Sequence, residues 1–261
     1  MLYPQSNLYR QRVDLSGYWN FKLDPHDEGI AQTWFNDFTG EPIAVPASWN
    51  EQFIDTRDYI GIAWYKTEFD CPWGWDDKQT FLRFGSVNYL AQVWINGHEL
   101  GEHEGGHLPF KFDISPYLKP EGNRIVVRVD GNLARDRVPP GLVDNPLDSH
   151  KVDIYPQTTY DFFPYCGIHR RVWLYSQPYT GITDITVQTT IDENIGSVKI
   201  NLAVDKWETE ANPIQAKFTL SGYGSNLSIE QAITQDTITA QIDVSEPALW
   251  SPDTPNVYDL T

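Results

Sequence analysis

Short segments in which apolar and polar residues alternate occur along the whole chain, and this pattern constrains the fold more than any other feature. Residues 19–23, 64–69 and 198–204 are clear examples. In an extended strand, successive side chains point to opposite sides, so each of these segments places its apolar residues on one face. The pattern predicts half-buried β-strands throughout the chain.

The clearest local prediction is a β-hairpin around Asn96 and Gly97. Two alternating segments, residues 92–95 and 98–100, flank this pair. Asn and Gly both tolerate the positive φ angles that a type I′ turn requires at its two central positions. We therefore expect two antiparallel strands joined by a two-residue turn.

The remaining pattern favours an all-β sandwich. Further strands are predicted at residues 81–84, 125–129 and 171–175. The one predicted helix is short, residues 30–38, because Ile30, Trp34 and Phe38 recur at helical spacing. Many short strands, with 18 Gly and 18 Pro available for turns, are typical of a sandwich and not of a βαβ fold.

A length of 261 residues favours two compact domains. We expect the first at residues 1–179 and the second at residues 180–261. The second contains strands predicted at residues 184–190, 198–204, 216–221, 227–234, 238–244 and 257–261. These six strands are one fewer than the roughly seven of an immunoglobulin-like sandwich. Because an unpaired sheet edge is a liability for an isolated domain, we expect a truncated immunoglobulin-like domain from a larger protein.

The charge balance disfavours nucleic acid and membrane surfaces as partners. The formal net charge is −17, which repels phosphate backbones and anionic lipids. The N-terminus has no basic region leading into an apolar run, and no window approaches the roughly 18 apolar residues of a membrane-spanning helix. Cys71 and Cys166 fit neither a metal spacing nor a disulfide framework, so two reduced thiols are expected. We expect a soluble, cytoplasmic protein.

Motifs for catalysis or metal binding are weak. Residues 103–107 spell His-Glu-Gly-Gly-His, which matches the zinc protease pattern. That pattern requires a helix, whereas two adjacent glycines and Pro109 favour a turn. Glycoside hydrolysis requires two carboxyl groups roughly 5 to 9.5 Å apart, but Glu102 and Glu104 are better explained as a solvated strand edge. We expect no catalytic residue, metal or cofactor in this chain.

The segment that ends near Asp161 is the best candidate for a functional loop. The alternation disappears between residues 132 and 159, and a connection of this length inside a compact domain is usually functional or disordered. Aromatic residues and Gly167 follow Asp161, so its carboxylate can project from a packed base and accept hydrogen bonds from sugar hydroxyls. The residue types alone favour a structural aspartate that caps the turn.

Residues 161–175 resemble the end of the sugar-binding domain of family 2 glycoside hydrolases, with the best match to β-glucuronidases. Other segments resemble the same family in the same order, namely residues 43–53, 105–118, 138–141, 167–170 and 249–255. The resemblance covers most of the chain. It implies a jelly-roll, galactose-binding-like β-sandwich followed by an incomplete immunoglobulin-like β-sandwich. It also implies a catalytic TIM barrel, with the acid and the nucleophile, that would follow residue 261.

The resemblance reverses the interpretation of Asp161. In β-glucuronidases, the matching aspartate extends from the first domain into the sugar pocket of the barrel and contacts substrate hydroxyls. Tyr160 and Asp161 are therefore the expected substrate-binding residues. His169 and Arg170 are expected to make structural hydrogen bonds at the interface with the barrel, since residues of the barrel bind the uronate carboxylate in this family.

The expected function is that of a non-catalytic N-terminal part of a retaining β-glucuronidase-like hydrolase, which orients the sugar and packs on the barrel. Its expected partners are a β-glucuronide or related glycoside and the barrel of the parent enzyme, and a homo-oligomeric parent is left open. Two alternatives are a stand-alone carbohydrate-binding module and the same part of a β-galactosidase-like enzyme. Pro164 and Cys166 depart from the family pattern, which leaves the fine sugar specificity open.

Overall fold

A computed structural model describes residues 3–138, 140–141, 163, 165–205 and 214–261. Its contacts divide the chain into two compact units, Met1–Gln177 and Pro178–Thr261, which we call the first and the second unit. Antiparallel strands dominate both, so the prediction of an all-β sandwich fold is confirmed. In the described ranges, no helix has the length and apolar character needed to cross a lipid bilayer.

The first unit is built from two main antiparallel sheets. Its described strands are β1 (Gln11–Asp14), β2 (Gly17–Leu23), β3 (Glu41–Val45), β4 (Ala47–Ser48), β5 (Ile62–Phe69), β6 (Gln79–Phe84), β7 (Val87–Asn88), β8 (Leu90–Ile95), β9 (His98–Glu104), β10 (Phe110–Asp113), β11 (Asn123–Asp130), β12 (Gly167–Ile168) and β13 (Val172–Gln177). A four-stranded sheet has the order β1-β13-β6-β10, and a six-stranded sheet has the order β3-β2-β5-β11-β8-β9. A small sheet joins β4, β12 and β7. Short 3-10 helices cover Trp49–Glu51, Ile54–Thr56 and Ser115–Tyr117.

The core of the first unit is rich in aromatic rings. Its buried side chains come from both main sheets and from the first 3-10 helix, and they include Trp19, Phe21, Trp49, Tyr65, Leu82, Phe84, Val127 and Leu174. Phe21 and Tyr65 meet edge to face with ring centroids 5.1 Å apart, a geometry that aromatic pairs favour. The abundance of aromatic residues in this chain is therefore explained in large part by packing.

The predicted hairpin is confirmed. Strand β8 pairs with β9 in antiparallel fashion, and the two residues between them are Asn96, with φ of 52°, and Gly97, with φ of 83°. Both positive angles are those that a type I′ turn requires.

The predicted helix at residues 30–38 is wrong, because this segment forms a series of turns. Thr33 has φ of 56°, which lies outside the right-handed helical region. Trp34 and Phe38 are buried, whereas Ile30 is exposed. The helical spacing came from two aromatic residues that attach the turns to the outer side of the six-stranded sheet, in a cluster with Trp64.

The second unit is a sandwich of two three-stranded sheets. Its described strands are β14 (Gly181–Asp192), β15 (Ile195–Asp205), β16 (Gln215–Gly222), β17 (Ser225–Ala232), β18 (Thr237–Ser245) and β19 (Asp259–Leu260). The sheets have the orders β14-β15-β18 and β17-β16-β19. The core between them includes Ile200, Leu202, Phe218, Leu220, Ile238 and Ile242. The described part of this unit thus contains the six strands that the alternation predicts.

Candidate functional site

Tyr160 and Asp161, the predicted substrate-binding residues, lie outside the described residues. The structure does describe the two stretches that flank them, residues 131–138 with 140–141 on one side and 165–171 on the other. We call these the leading flank and the trailing flank. Their contacts define one corner of the first unit, which contains the residues on either side of the candidate loop in the sequence.

The trailing flank is held by the small three-stranded sheet. Gly167 pairs with Ser48 of β4 on one side and with Asn88 of β7 on the other. The side-chain amide of Asn88 donates a hydrogen bond to the carbonyl of Tyr165 at 2.8 Å. The carbonyl of Cys166 accepts a hydrogen bond from Ser48 Oγ at 2.9 Å. The backbone that follows the candidate loop is therefore fixed from both sides.

Asn50 is the central polar group of this corner. It is buried, and its side-chain oxygen accepts a hydrogen bond from Cys166 N at 2.9 Å. Its amide nitrogen donates to the carbonyls of Thr56 at 3.0 Å and Tyr59 at 2.9 Å. Ser48 orients it locally, because Ser48 caps the 3-10 helix Trp49–Glu51 by accepting a hydrogen bond from Asn50 N. One amide thus connects the trailing flank to a loop more than a hundred residues earlier in the sequence.

Gly167 allows the trailing flank to come close to the core. Its φ is 118°, a conformation that side chains with a Cβ rarely adopt. A Cβ at this position would lie 2.7 Å from Tyr65 Oη and 3.2 Å from the carbonyl oxygen of Ala47. Gly167 therefore permits a tight approach of the trailing flank to Tyr65 and to β4.

The leading flank is held by Arg137. Its Nη2 lies 3.0 Å from a carboxylate oxygen of Asp130, and its Nε lies 2.8 Å from a carboxylate oxygen of Glu104. Its Nη1 donates a hydrogen bond to the carbonyl of Asn132. A guanidinium offers several donors in a fixed fork, so this single side chain joins the flank to the ends of β9 and β11.

The two flanks meet at Cys166. Its Sγ lies 3.6 Å from the carbonyl oxygen of Gly131, and a Cβ added to Gly131 would lie only 2.5 Å from that sulfur. Burial raises the pKa of the Cys166 thiol, which keeps it protonated and unreactive. Cys166 is therefore a packing residue at the junction of the flanks, and both cysteines are free thiols, as predicted.

His169 and Arg170 both make hydrogen bonds within the first unit. The backbone N–H of His169 donates to the carbonyl of Ser86 at 3.2 Å. Burial lowers the pKa of the imidazole, and hydrogen bonds to the carbonyls of Cys166 and Tyr165 partly oppose this effect. Arg170 Nη1 donates to the carbonyl of His107 at 3.1 Å. Their placement at an interface with a barrel stays a prediction.

The zinc-like motif lies on a strand and the turn after it. His103 belongs to β9 and stacks on Phe110 with ring centroids 4.2 Å apart, and burial lowers its pKa. Glu104 lies on the strand edge, as expected, and it also forms the ion pair with Arg137 that holds the leading flank. In the described residues, no group of three or more His, Cys, Asp or Glu side chains is arranged to hold a metal ion.

Asn50, Asn88 and Arg137 were not predicted from the sequence as residues of this corner. Each is a polar residue next to at least one apolar residue in the sequence, a signal that suggests a buried partner but does not identify it. The partners of Asn50 and Asn88 lie 116 and 77 residues away, and only the folded chain brings them together.

Two family models match consecutive parts of the chain. The model described as "Glycosyl hydrolases family 2, sugar binding domain" matches residues 13–178, and the model described as "Glycosyl hydrolases family 2" matches residues 180–261. This chain belongs to glycosyl hydrolase family 2. The resemblance inferred from the sequence motifs is thereby confirmed.

Relatives of this family 2 chain include enzymes named β-glucuronidase. One from Paenibacillus borealis is 34% identical over 267 residues, with 100% of this chain and 43% of the relative covered. One from Canis lupus familiaris is 38% identical over 223 residues, with 78% of this chain and 34% of the relative covered.

Solved β-glucuronidases share the fold of this family 2 chain. One from an uncultured Clostridium species has a TM-score of 0.80 and 32% identity, and the match covers 100% of this chain and 44% of that enzyme. The crystal structure of Ruminococcus gnavus β-glucuronidase has a TM-score of 0.81 and 30% identity, and the match covers 99% of this chain and 43% of that enzyme. The chain thus spans less than half the length of these relatives, and its described residues contain no β/α repeat of the kind that forms a TIM barrel.

Proposed function

We propose that this chain is the non-catalytic N-terminal part of a retaining β-glucuronidase-like hydrolase. Its proposed role is to orient a β-glucuronide for a catalytic barrel. The observation that carries this proposal is the pair of consecutive family matches, because together they account for residues 13–178 and 180–261 with domains other than a barrel. The relatives named β-glucuronidase support the substrate class.

The corner around Asn50 and Cys166 supports a role in orientation. A carboxylate that contacts a substrate contributes most when its position is fixed before the substrate arrives. Here the leading and trailing flanks are joined to each other at Cys166 and held by Asn50, Asn88 and Arg137. Under this proposal, Tyr160 and Asp161 act between two fixed ends, and the barrel supplies the groups that carry out the chemistry.

The test is the substitution Asp161→Asn in the full-length enzyme that this proposal implies. It removes the negative charge with little change of shape, so a hydrogen bond to a sugar hydroxyl that strengthens in the transition state is weakened. We expect kcat/KM for a β-glucuronide to fall roughly 10- to 1,000-fold. Asp136→Asn is the matched control, since Asp136 is an exposed carboxylate of the leading flank, and it should change kcat/KM by less than about twofold.

Three outcomes would contradict the proposal. An unchanged kcat/KM in Asp161→Asn would remove Asp161 from the substrate site. A preference of the full-length enzyme for β-galactosides over β-glucuronides would assign the chain to a β-galactosidase-like parent. If residues 1–261 alone bind a glucuronide and Asp161→Asn abolishes that binding, the stand-alone carbohydrate-binding module replaces the present proposal.

A further inference from the structure

The outer face of the four-stranded sheet carries a concentration of positive charge that the proposed function does not use. Lys111 lies opposite Arg83 on the neighbouring strand, Arg83 lies opposite Trp173, and Arg12 lies opposite Tyr175. Residues that are directly opposite in an antiparallel pair point to the same side of the sheet. The alternate residues, such as Leu82 and Leu174, face the core. We call the side with the cations the basic face.

Arg83 is the unusual residue of the basic face. It is only 2% exposed, and no ion pair in the described residues includes it. Its Nε and Nη1 atoms are buried without a hydrogen-bond partner, and so is Nε1 of the neighbouring Trp173. A buried charge without a counter-charge is costly, and buried donors are almost always paired in folded proteins. Within the described part of the chain, three donor nitrogen atoms on two neighbouring residues therefore lack an acceptor.

The surroundings of Arg83 favour a negatively charged ligand. Arg12 and Arg171 both lie over the ring of Trp173, at 4.8 and 5.8 Å, and Lys111 lies 4.4 Å from the ring of Phe81. Two carboxylates share this side of the sheet: Asp14 lies 3.4 Å from Arg171, and Asp113 accepts a hydrogen bond from Gln79. Burial raises the pKa of Tyr175 to about 12, so its hydroxyl stays neutral. The cations outnumber the anions here, in a chain whose net charge is −17.

Residues at the N-terminus partly cover Arg83 and Arg12. The ring of Tyr3 lies 4.6 Å from the guanidinium carbon of Arg83, and Arg12 Nη1 donates to the carbonyl of Pro4 at 3.1 Å. Tyr3 is itself 49% exposed, and residues 3–10 belong to no strand. A ligand that reaches Arg83 would displace the partly exposed ring of Tyr3.

We propose that Arg83 and Trp173, with Arg12, Lys111 and Arg171 around them, form an anion-binding site on the basic face that takes the carboxylate of an acidic sugar. The fork of a guanidinium matches the two oxygens of a carboxylate, and Trp173 Nε1 adds a third donor. The proposal uses no residue of the candidate loop and does not depend on the proposed role of Asp161.

The test is calorimetric titration of residues 1–261 with D-glucuronate, inorganic phosphate and D-glucose. We expect saturable binding of glucuronate, weaker at high salt because it is electrostatic, and no binding of glucose. Arg83→Gln should weaken glucuronate binding at least about 10-fold, as expected for loss of hydrogen bonds to a charged group. Tyr3→Ala should strengthen it, since the covering ring is removed. Asp161→Asn should leave it unchanged, which separates this site from the proposed substrate contact.

Controls keep the result interpretable if Arg83→Gln fails to fold. Arg12→Gln changes an exposed residue of the same face and should weaken binding several-fold. Lys119→Gln removes an exposed positive charge from a loop outside the four-stranded sheet and should have no effect. The proposal is overturned if neither the wild type nor Tyr3→Ala binds glucuronate saturably, if Arg12→Gln binds as tightly as the wild type, or if phosphate binds and glucuronate does not.

Discussion

The two units of this chain bury their strands to different extents. In the first unit, core residues on both main sheets, such as Ile43, Leu82 and Val127, are at most 1% exposed. In the second unit, the apolar residues of edge strand β14 remain accessible, with Ile185 at 50% and Val187 at 45%. The first sandwich covers most of its inner faces, with Val13 of edge strand β1 still 36% exposed, whereas the second leaves the apolar residues of β14 about half exposed.

The register of the second unit shows which face of β14 is uncovered. Ile185 lies opposite Leu202, and Val187 lies opposite Ile200. Leu202 and Ile200 are core residues, so the exposed apolar residues of β14 continue the core face of the same sheet. The opposing sheet, β17-β16-β19, covers β15 and β18 but leaves β14 accessible within the described residues. An alternating pattern therefore specifies which residues share a face, whereas burial depends on whether an opposing layer extends far enough.

The largest expected effect comes from the closed core of the first unit. Trp49 is 0% exposed, whereas Trp73 is 98% exposed. Trp49→Ala should lower the free energy of unfolding of the first unit by about 4 kcal/mol, because it leaves a large cavity and removes the hydrogen bond from Nε1 to the carbonyl of Tyr59. Trp73→Ala is the matched control and should change it by less than about 0.5 kcal/mol. Urea unfolding measures both, and equal losses would show that the first core is not closed at Trp49.

A smaller effect is expected at the corner beside the candidate loop. Gly167→Ala combines an unfavourable φ with a close approach to Tyr65. It should lower the free energy of unfolding of the first unit by about 3 kcal/mol. Gly17 also has a positive φ, 138°, but a Cβ there would meet no atom within 4 Å. Gly17→Ala should therefore cost only about 1 kcal/mol, from strain alone. Comparable losses in the two variants would mean that the corner is loosely packed.

Much of the fold could be predicted from the sequence, because strand faces and the Asn96-Gly97 turn are local properties. The prediction of a helix at residues 30–38 was wrong, because helical spacing alone cannot distinguish one face of a helix from two aromatic residues that attach a series of turns to a sheet. The corner at Asn50 could not be predicted for a different reason. Its hydrogen bonds join residues far apart in sequence, and no local pattern encodes which amide meets which carbonyl.

The accessible apolar residues of β14 predict a still smaller difference in the free energy of unfolding between two Ile→Val substitutions. Ile200 is 0% exposed and Ile185 is 50% exposed, and both lie on the core face of the same sheet. Ile200→Val should destabilise the second unit by about 1 kcal/mol, as is usual for a buried methylene. Ile185→Val should cost only about 0.3 kcal/mol, because its side chain is half solvated in the folded state. Hydrogen exchange of peptides from this unit measures both, and equal costs would indicate that another layer covers β14 in solution.

The smallest expected difference between the units is their response to mild acid. Burial lowers the pKa of His103 and His169 in the folded first unit, whereas residues 178–261 contain no histidine. Above the unfolded pKa of about 6.5, these imidazoles are neutral in both states, and the first unit has its full stability. As the pH falls below that value, the unfolded chain binds protons before the folded unit does, so the stability of the first unit declines. Hydrogen exchange at pH 7.5 and pH 5.5 should show faster global opening of the first unit only, after correction for the intrinsic pH dependence of exchange. His169→Gln should reduce this response, and a parallel decline of both units would mean that carboxylates, not these histidines, control stability in this range.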